Sequence, residues 1–287
     1  MTTPVASTSD PQQGDLNAKI FQRLHPRIYL ERFIAESVRP DGRTFDDWRD
    51  LSVNVGSIGT ANGSSLVRLG DTTIVCGVKA EIAEPDLDRP DEGWIVPNID
   101  LPPICSPKFK PGPPSDEAQA LSDRLFDSLT SSNVLPLSSL CIEPGKSAWV
   151  LYVDATCINY DGNVFDAALV AMVSALKNTL LPKATFDPDT ERTTCSRKKE
   201  LMSPLELSEG LPISLSFGLF DSNILADPTS FEEPLLDTTI SITLNTSTKQ
   251  LLAVSQLGEG LAGSDVVGKC IQEAKRRLED GSSIYEF

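Results

Sequence analysis

The groups able to do acid-base or metal chemistry in this sequence are few and concentrated. Asp154, Asp161 and Asp166 fall in one short stretch. Carboxylates at a strand end could hold a cation or protonate a leaving oxygen. Each also has a structural use: Asp161 makes a turn with Gly162, Asp166 sits where a helix starts, and Asp154 can pair with a base or hydroxyl inside a sheet. The single histidine, His25, lies in the N-terminal segment. That makes a Ser-His-Asp triad, a histidine base or a multi-histidine metal site improbable. Cysteines 76, 105, 141, 157, 195 and 270 form no C-x-x-C pair and several sit in apolar runs. They read as small buried hydrophobes of a reducing compartment, not as a disulfide frame or zinc site. No metal or other cofactor is expected, and chemistry would fall to carboxylates and hydroxyls.

Two further motifs invite ligands. Gly258-Glu259-Gly260-Leu261-Ala262-Gly263 matches G-x-G-x-x-G between a strand and a helix. The dinucleotide fingerprint also needs a following parallel strand ending near an acid, and the sequence stops shortly after the helix, so a turn and cap are expected. The stretch PICSPKFKPG at 103–112 projects Lys108 and Lys110 on a proline-stiffened loop. It is either a solvated loop or a finger that touches phosphates.

The element that must position these groups runs from 146 to 181, KSAWVLYVDATCINYDGNVFDAALVAMVSALKNTLL. Trp149, Leu151, Val153, Ala155 and Cys157 alternate with Val150, Tyr152 and Ile158, which predicts a central strand covered on both faces. Asp161 and Gly162 make the turn. Asn163 is predicted to cap a helix by accepting from the Asp166 N–H while the Asp166 carboxylate reaches back. Phe165, Leu169, Met172, Leu176 and Leu180 recur at helical spacing, with alanines between them that permit close approach to a sheet.

Around this centre, residues 1–17 are polar and rich in Pro, Gly, Ser and Thr, and predict a disordered tail. A short helix within 20–38 ends at Arg39-Pro40-Asp41-Gly42-Arg43. Strands are predicted at 51–57, 65–69, 73–81 and 94–101, and a helix from Ser115 or Asp116 to Leu129. The stretch 182–210 is polar and weakly patterned, with a basic patch at Ser196-Arg197-Lys198-Lys199, and predicts flexible surface. Strands at 213–220, 223–226, 236–244 and 251–256 then precede a helix at 265–279. The fold class is α+β, with two strand-rich halves and helices packed around a shared core: 18–185 and 211–287, joined by a variable surface segment at 186–210.

The 287 residues carry 41 acids and 25 bases, a formal charge of −16. That balance disfavours a protein that binds nucleic acid alone over a wide face, and suits basic partners. No membrane span or signal peptide is apparent, which predicts an intracellular protein.

RPDGR at 39–43, SIGTANGSSLVRLGDTTIVCGVKAE at 57–81, VPNIDLPP at 96–103, IEPGKSAWVLYVD at 142–154 and YDGNVFDAALVAMVSALKN at 160–178 together resemble the RNase PH family. The resemblance runs from about residue 20 onward. The IEPGK and YDGNVFDA versions are similar to its catalytically silent lineage in the ring of the RNA exosome. Active members carry arginines on the helix before the central strand, and acids on that strand and at its turn, so that phosphate attacks the 3′-terminal linkage of RNA. By this resemblance the arginine positions fall on Ala120, Arg124 and Asp127, the strand acid on Thr156, the turn acid on Asp161 and a following arginine on Phe165. Losing most of an anion clamp removes the electrostatic stabilisation that such chemistry depends on.

The resemblance therefore implies a non-catalytic structural subunit that supports 3′-to-5′ RNA processing and degradation, including ribosomal RNA maturation and mRNA decay. Its implied partners are other RNase PH-like ring subunits, cap subunits with RNA-binding domains, associated nucleases and RNA threaded through the ring, in nucleus, nucleolus and cytoplasm. Two alternatives stand beside it. One is a phosphorolytic exoribonuclease whose site a neighbouring subunit completes. The other is an RNA-binding module using Lys108, Lys110 and Arg124.

Overall fold

The computed structural model describes residues 11–196 and 201–280. The chain opens with two helices, α1 (Pro11–Leu24) and α2 (Pro26–Ala35). Each starts on a proline, whose missing N–H is harmless in a first helical turn. Residues 1–10 of the expected tail lie outside the described residues, but 11–17 belong to α1, not to a disordered segment. Local aromatic contacts hold this helical pair together: Phe21 meets the His25 and Tyr29 rings and lies under Arg32. Although α2 comes first in sequence, it packs on the second half. Leu30 is fully buried against Phe220 and Leu225, and Tyr29 meets Phe231 edge-on.

Three strands, β1 (Leu51–Val55), β2 (Gly63–Leu69) and β3 (Thr72–Ala83), form the antiparallel meander. Gly70 takes φ +57° in the turn between the last two, a conformation that glycine adopts without a Cβ penalty. Next come β4 (Trp94–Asp100) and α3 (Asp116–Ser131), whose Ser115 side chain accepts from the Ala118 N–H. A short β5 (Cys141–Glu143) leads into β6 (Ser147–Asn159). The sheet order is β1-β2-β3-β6-β4, with β6 antiparallel to β3 and parallel to β4. That parallel pairing is possible because α3 supplies the crossover.

One face of β6 behaves as its sequence predicts: Trp149, Leu151, Val153, Ala155 and Cys157 are buried. The other face does not. Val150 is covered, but Tyr152 is 37% exposed, Ile158 45% and neighbouring Val96 41%. An apolar alternation marks a surface that prefers to leave water, without requiring that this chain cover it.

Helix α4 (Val164–Lys177) is buried on every side from Val164 to Leu176, lying between the first sheet and the second half. The small residues allow the contact. A Cβ on Gly63 would sit 2.2 Å from Thr179 Oγ1 and 2.6 Å from the Ala175 carbonyl. The Ser65 hydroxyl donates to the Ala171 carbonyl across the same seam.

The stretch expected to be flexible surface contains paired strands. β7 (Leu180–Pro182) pairs with the later β10 (Met202–Pro204), and β8 (Ala184–Asp187) forms a hairpin with β9 (Arg192–Cys195). Strands of three or four residues are too short to print a periodicity. Within the basic patch, 197–199 lie outside the described residues. The second half is a four-stranded antiparallel sheet of β11 (Pro212–Phe220), β12 (Asn223–Ala226), β13 (Thr238–Asn245) and β14 (Leu251–Gly258), ordered β12-β11-β13-β14. Helix α5 (Ser264–Asp280) packs on it, burying Cys270, Ala274 and Leu278. The glycine-rich run before α5 is a connection between β14 and the helix. Among the described residues, no helix is long and apolar enough to cross a membrane.

Candidate functional site

The turn between β6 and α4 is where the two halves meet. Gly162 has φ +78°, and a Cβ there would lie 2.6 Å from the Ser230 nitrogen. Asn163 also takes positive φ, 52°, and makes no side-chain cap bond, contrary to the expected capping role. Its amide instead donates to Asp166 Oδ2 at 2.9 Å and to Asp227 Oδ1 at 2.7 Å. Two buried carboxylates need donors more than the helix end needs an acceptor. Asp166 also accepts from the Ser216 N–H and hydroxyl at 2.7 and 2.8 Å. Burial pushes its pKa up, only partly opposed by these hydrogen bonds.

Arginines from the N-terminal segment complete the seam. Arg39 is fully buried, donating through Nε to Glu232 at 2.9 Å and through Nη1 to the Ala226 carbonyl at 2.6 Å. Arg43 reaches Asp227 and its carbonyl, and Arg49 grips both Asp227 oxygens at 2.7 Å and the Asp161 carbonyl at 2.6 Å. The RPDGR motif is thus a clamp between halves. Asp161 serves the same clamp: its carboxylate accepts from the Ser230 hydroxyl at 2.8 Å and lies 3.3 Å from Arg49.

Beside this seam, a cleft of about 420 Å³ opens between α3, the start of α4, and β13 and β14. Ala120, Leu121 and Arg124 of α3, Phe165 of α4, and Ser241 and Leu257 of the second sheet line it. Arg124 lies over the Phe165 ring, 4.0 Å from its centroid, and Nη2 donates to the Ser241 and Ser255 hydroxyls at 3.2 and 3.1 Å. Burial depresses its pKa, opposed by the charge of Asp166. At the mouth, Lys108 pairs with Glu117 at 2.8 Å and lies over the Phe109 and Tyr160 rings. Tyr160 donates its hydroxyl to Glu233 at 2.6 Å, and burial, with the Glu233 charge, pushes the phenol well above its ordinary value.

The structure therefore brings Lys108, Ala120, Arg124 and Phe165 together and leaves the other predicted residues apart. Lys110 is exposed on the proline-rich loop and lines an adjoining depression that shares Lys108 and Glu117 with the cleft but not Arg124. Thr156 lies opposite Asp100 on the sheet face away from α4, because its parity along β6 is that of Tyr152. Asp161 and Asp127 do not line the cleft. Sequence reasoning missed Asp227, Glu232, Glu233, Ser216, Ser241 and Ser255. The run DPTSFEEP at 227–234 offered one signal, three acids around an aromatic and two prolines in a stretch otherwise read as connection. Among the described residues, no group of three or more His, Cys, Asp or Glu is arranged to hold a metal.

Comparison with known proteins agrees with this architecture. Residues 47–182 match domain 1 of the 3′ exoribonuclease family, and 210–277 match domain 2. The chain is 44% identical to the exosome complex component rrp43 of Schizosaccharomyces pombe, over 95% of this chain and 99% of that one. It is 39% identical to the exosome complex component Rrp42 of Methanopyrus kandleri, over 84% and 88%. A solved structure described as an Archaeoglobus fulgidus exosome with RNA bound to the active site superposes with TM-score 0.78 at 30% identity, covering 93% of this chain and 99% of that one. Two domain matches in order, on the two halves that the Arg39 and Arg49 clamp joins, establish that the chain belongs to the RNase PH, or 3′ exoribonuclease, family.

Proposed function

We propose that this protein is a non-catalytic structural subunit of an RNA exosome ring, supporting 3′-to-5′ processing and decay of RNA that passes through the ring. Its relatives named as exosome components support the assembly. One observation carries the catalytic silence. Of the three α3 positions that the family resemblance assigns to a phosphate clamp, Arg124 alone is cationic, the other two being Ala120 and the acid Asp127. Transferring a phosphoryl group needs several positive groups aimed at developing charge. The carboxylate of Asp161, the inherited turn acid, is spent on the Ser230 hydroxyl and on Arg49, 3.3 Å away. The same reading gives the chain ring neighbours of its own family, cap subunits with RNA-binding domains, associated nucleases, roles in ribosomal RNA maturation and mRNA decay, and residence in nucleus, nucleolus and cytoplasm.

The test is a reconstituted ring in which every other subunit's site is disabled. No phosphate-dependent shortening of a 3′-labelled RNA is expected. Shortening that Asp161→Ala abolishes would establish a composite active site and overturn the proposal. Mass spectrometry of the intact affinity-purified complex checks the partners.

A further inference from the structure

The cleft beside α3 holds a cation with no carboxylate in ion-pair reach among the described residues. Arg124 Nη2 meets two serine hydroxyls, and the buried Asp166 lies behind a relay: Ser241 Oγ to Ser216 Oγ at 2.8 Å, then Ser216 Oγ to Asp166 Oδ1 at 2.8 Å. A guanidinium has five N–H donors and stays charged even when partly desolvated. Hydroxyls satisfy some of those donors and leave its charge without a direct counterion.

The rest of the lining defines what could supply one. Leu121, Val164, Phe165 and Leu257 form apolar walls. The charged lining residues cancel, Arg124 and Lys108 against Glu117 and Glu233, and Lys108 is already paired with Glu117. A run of phosphates would bring repeated negative charge past two glutamates into a lining of zero net charge. One carboxylate on an apolar body meets Arg124 and covers the walls. The volume, about 420 Å³, lies in the usual range for small-molecule sites.

We propose that this cleft binds a monocarboxylate with an aliphatic or aromatic body, such as a free acid or the C-terminal residue of a protein chain, and discriminates against the polyanionic end of RNA. The carboxylate lies against the Arg124 guanidinium, and the apolar body lies along Leu121, Val164 and Leu257.

Saturation-transfer NMR on the full chain tests this with N-acetyl-leucine, its neutral amide N-acetyl-leucinamide, and a leucine-terminated pentapeptide. The acid shows transfer to its side-chain methyls, and the amide binds at least about tenfold more weakly, because a charge-assisted pair is lost. Tighter binding of the pentapeptide than of N-acetyl-leucine identifies a chain terminus as the natural source; equal binding identifies a free acid. Arg124→Gln removes the signal. Leu257→Glu, at a side chain 48% exposed on an edge strand, weakens binding without disturbing the core and guards against misfolding of the first variant. Absence of transfer from the acid, equal binding of acid and amide, or displacement of the acid by inorganic phosphate or oligoadenylate at equal concentration overturns the proposal. Whether the reconstituted ring cuts RNA does not enter this readout.

Discussion

Arg39 is the largest fully buried side chain among the described residues, and it contacts Glu232, Ala226 and Asp227 from a position 193 residues from its carboxylate partner. Removing one member of such a pair leaves the other charge buried and unanswered, which costs about 3–5 kcal/mol. Arg39→Met should therefore lower the urea midpoint sharply, and Arg39→Met combined with Glu232→Gln should recover part of the loss, a coupling that a double-mutant cycle measures. Asp227 makes a pH prediction. Burial opposes its ionisation, but the hydrogen bonds and charge of Arg49 and the Asn163 amide outweigh that and hold the carboxyl below its ordinary 3.8. On acidification the unfolded chain takes up a proton near the ordinary value while the native carboxylate still refuses it. Stability is thus present above about pH 4 and lost as pH falls through the native value. Asp227→Asn should be less stable at neutral pH and show a flatter acid limb in urea unfolding as pH falls below the ordinary carboxylate range. At this scale the sequence pointed to Asp161 and Asp166, because turns and helix starts advertise their residues, and to Arg124 through the family resemblance alone. It could not point to Arg39 or Asp227, whose meaning lies in partners far along the chain.

Among the elements, β6 and α4 were readable because each is long, apolar and bounded by Asp161-Gly162, and α3 because Ser115 marks its start. The short pairs β7 with β10 and β8 with β9 were not, since pairing rather than pattern defines them. The coverage of β6 was misjudged for a related reason: alternation reports the wish to leave water and not which chain provides the cover. The closeness of β2 and α4 depends on Gly63, whose replacement by alanine would drive a methyl group into Thr179 and the Ala175 carbonyl. Backbone on one side cannot step aside as a flexible side chain could. Gly63→Ala should cost about 1–3 kcal/mol by overpacking, read as a lowered urea midpoint with an unchanged denaturant slope.

At the scale of the molecule, the open face of the first sheet carries Val96 and Tyr152 side by side in register, with Ile158 further along the strand. If ring neighbours cover it, Tyr152→Glu should leave the thermal midpoint of the isolated chain within about 2 °C of wild type, since a substitution at an exposed site changes stability by less than about 0.5 kcal/mol. The same variant should sharply reduce recovery of ring partners in affinity purification; full recovery would show that this face is not an assembly surface. The clamp through Arg39 has a further consequence during synthesis. A ribosome adds about 5–20 residues per second. The guanidinium is made early and its carboxylate 193 residues later, so roughly 10–40 s pass before the two can meet. For that interval the nascent amino-terminal portion leaves Arg39 in water and the Leu30 face of α2 uncovered, and a polypeptide released at the end of the first domain, near residue 182, would never bury them. Truncated products should therefore fall to proteolysis, a quality check written into the order of translation.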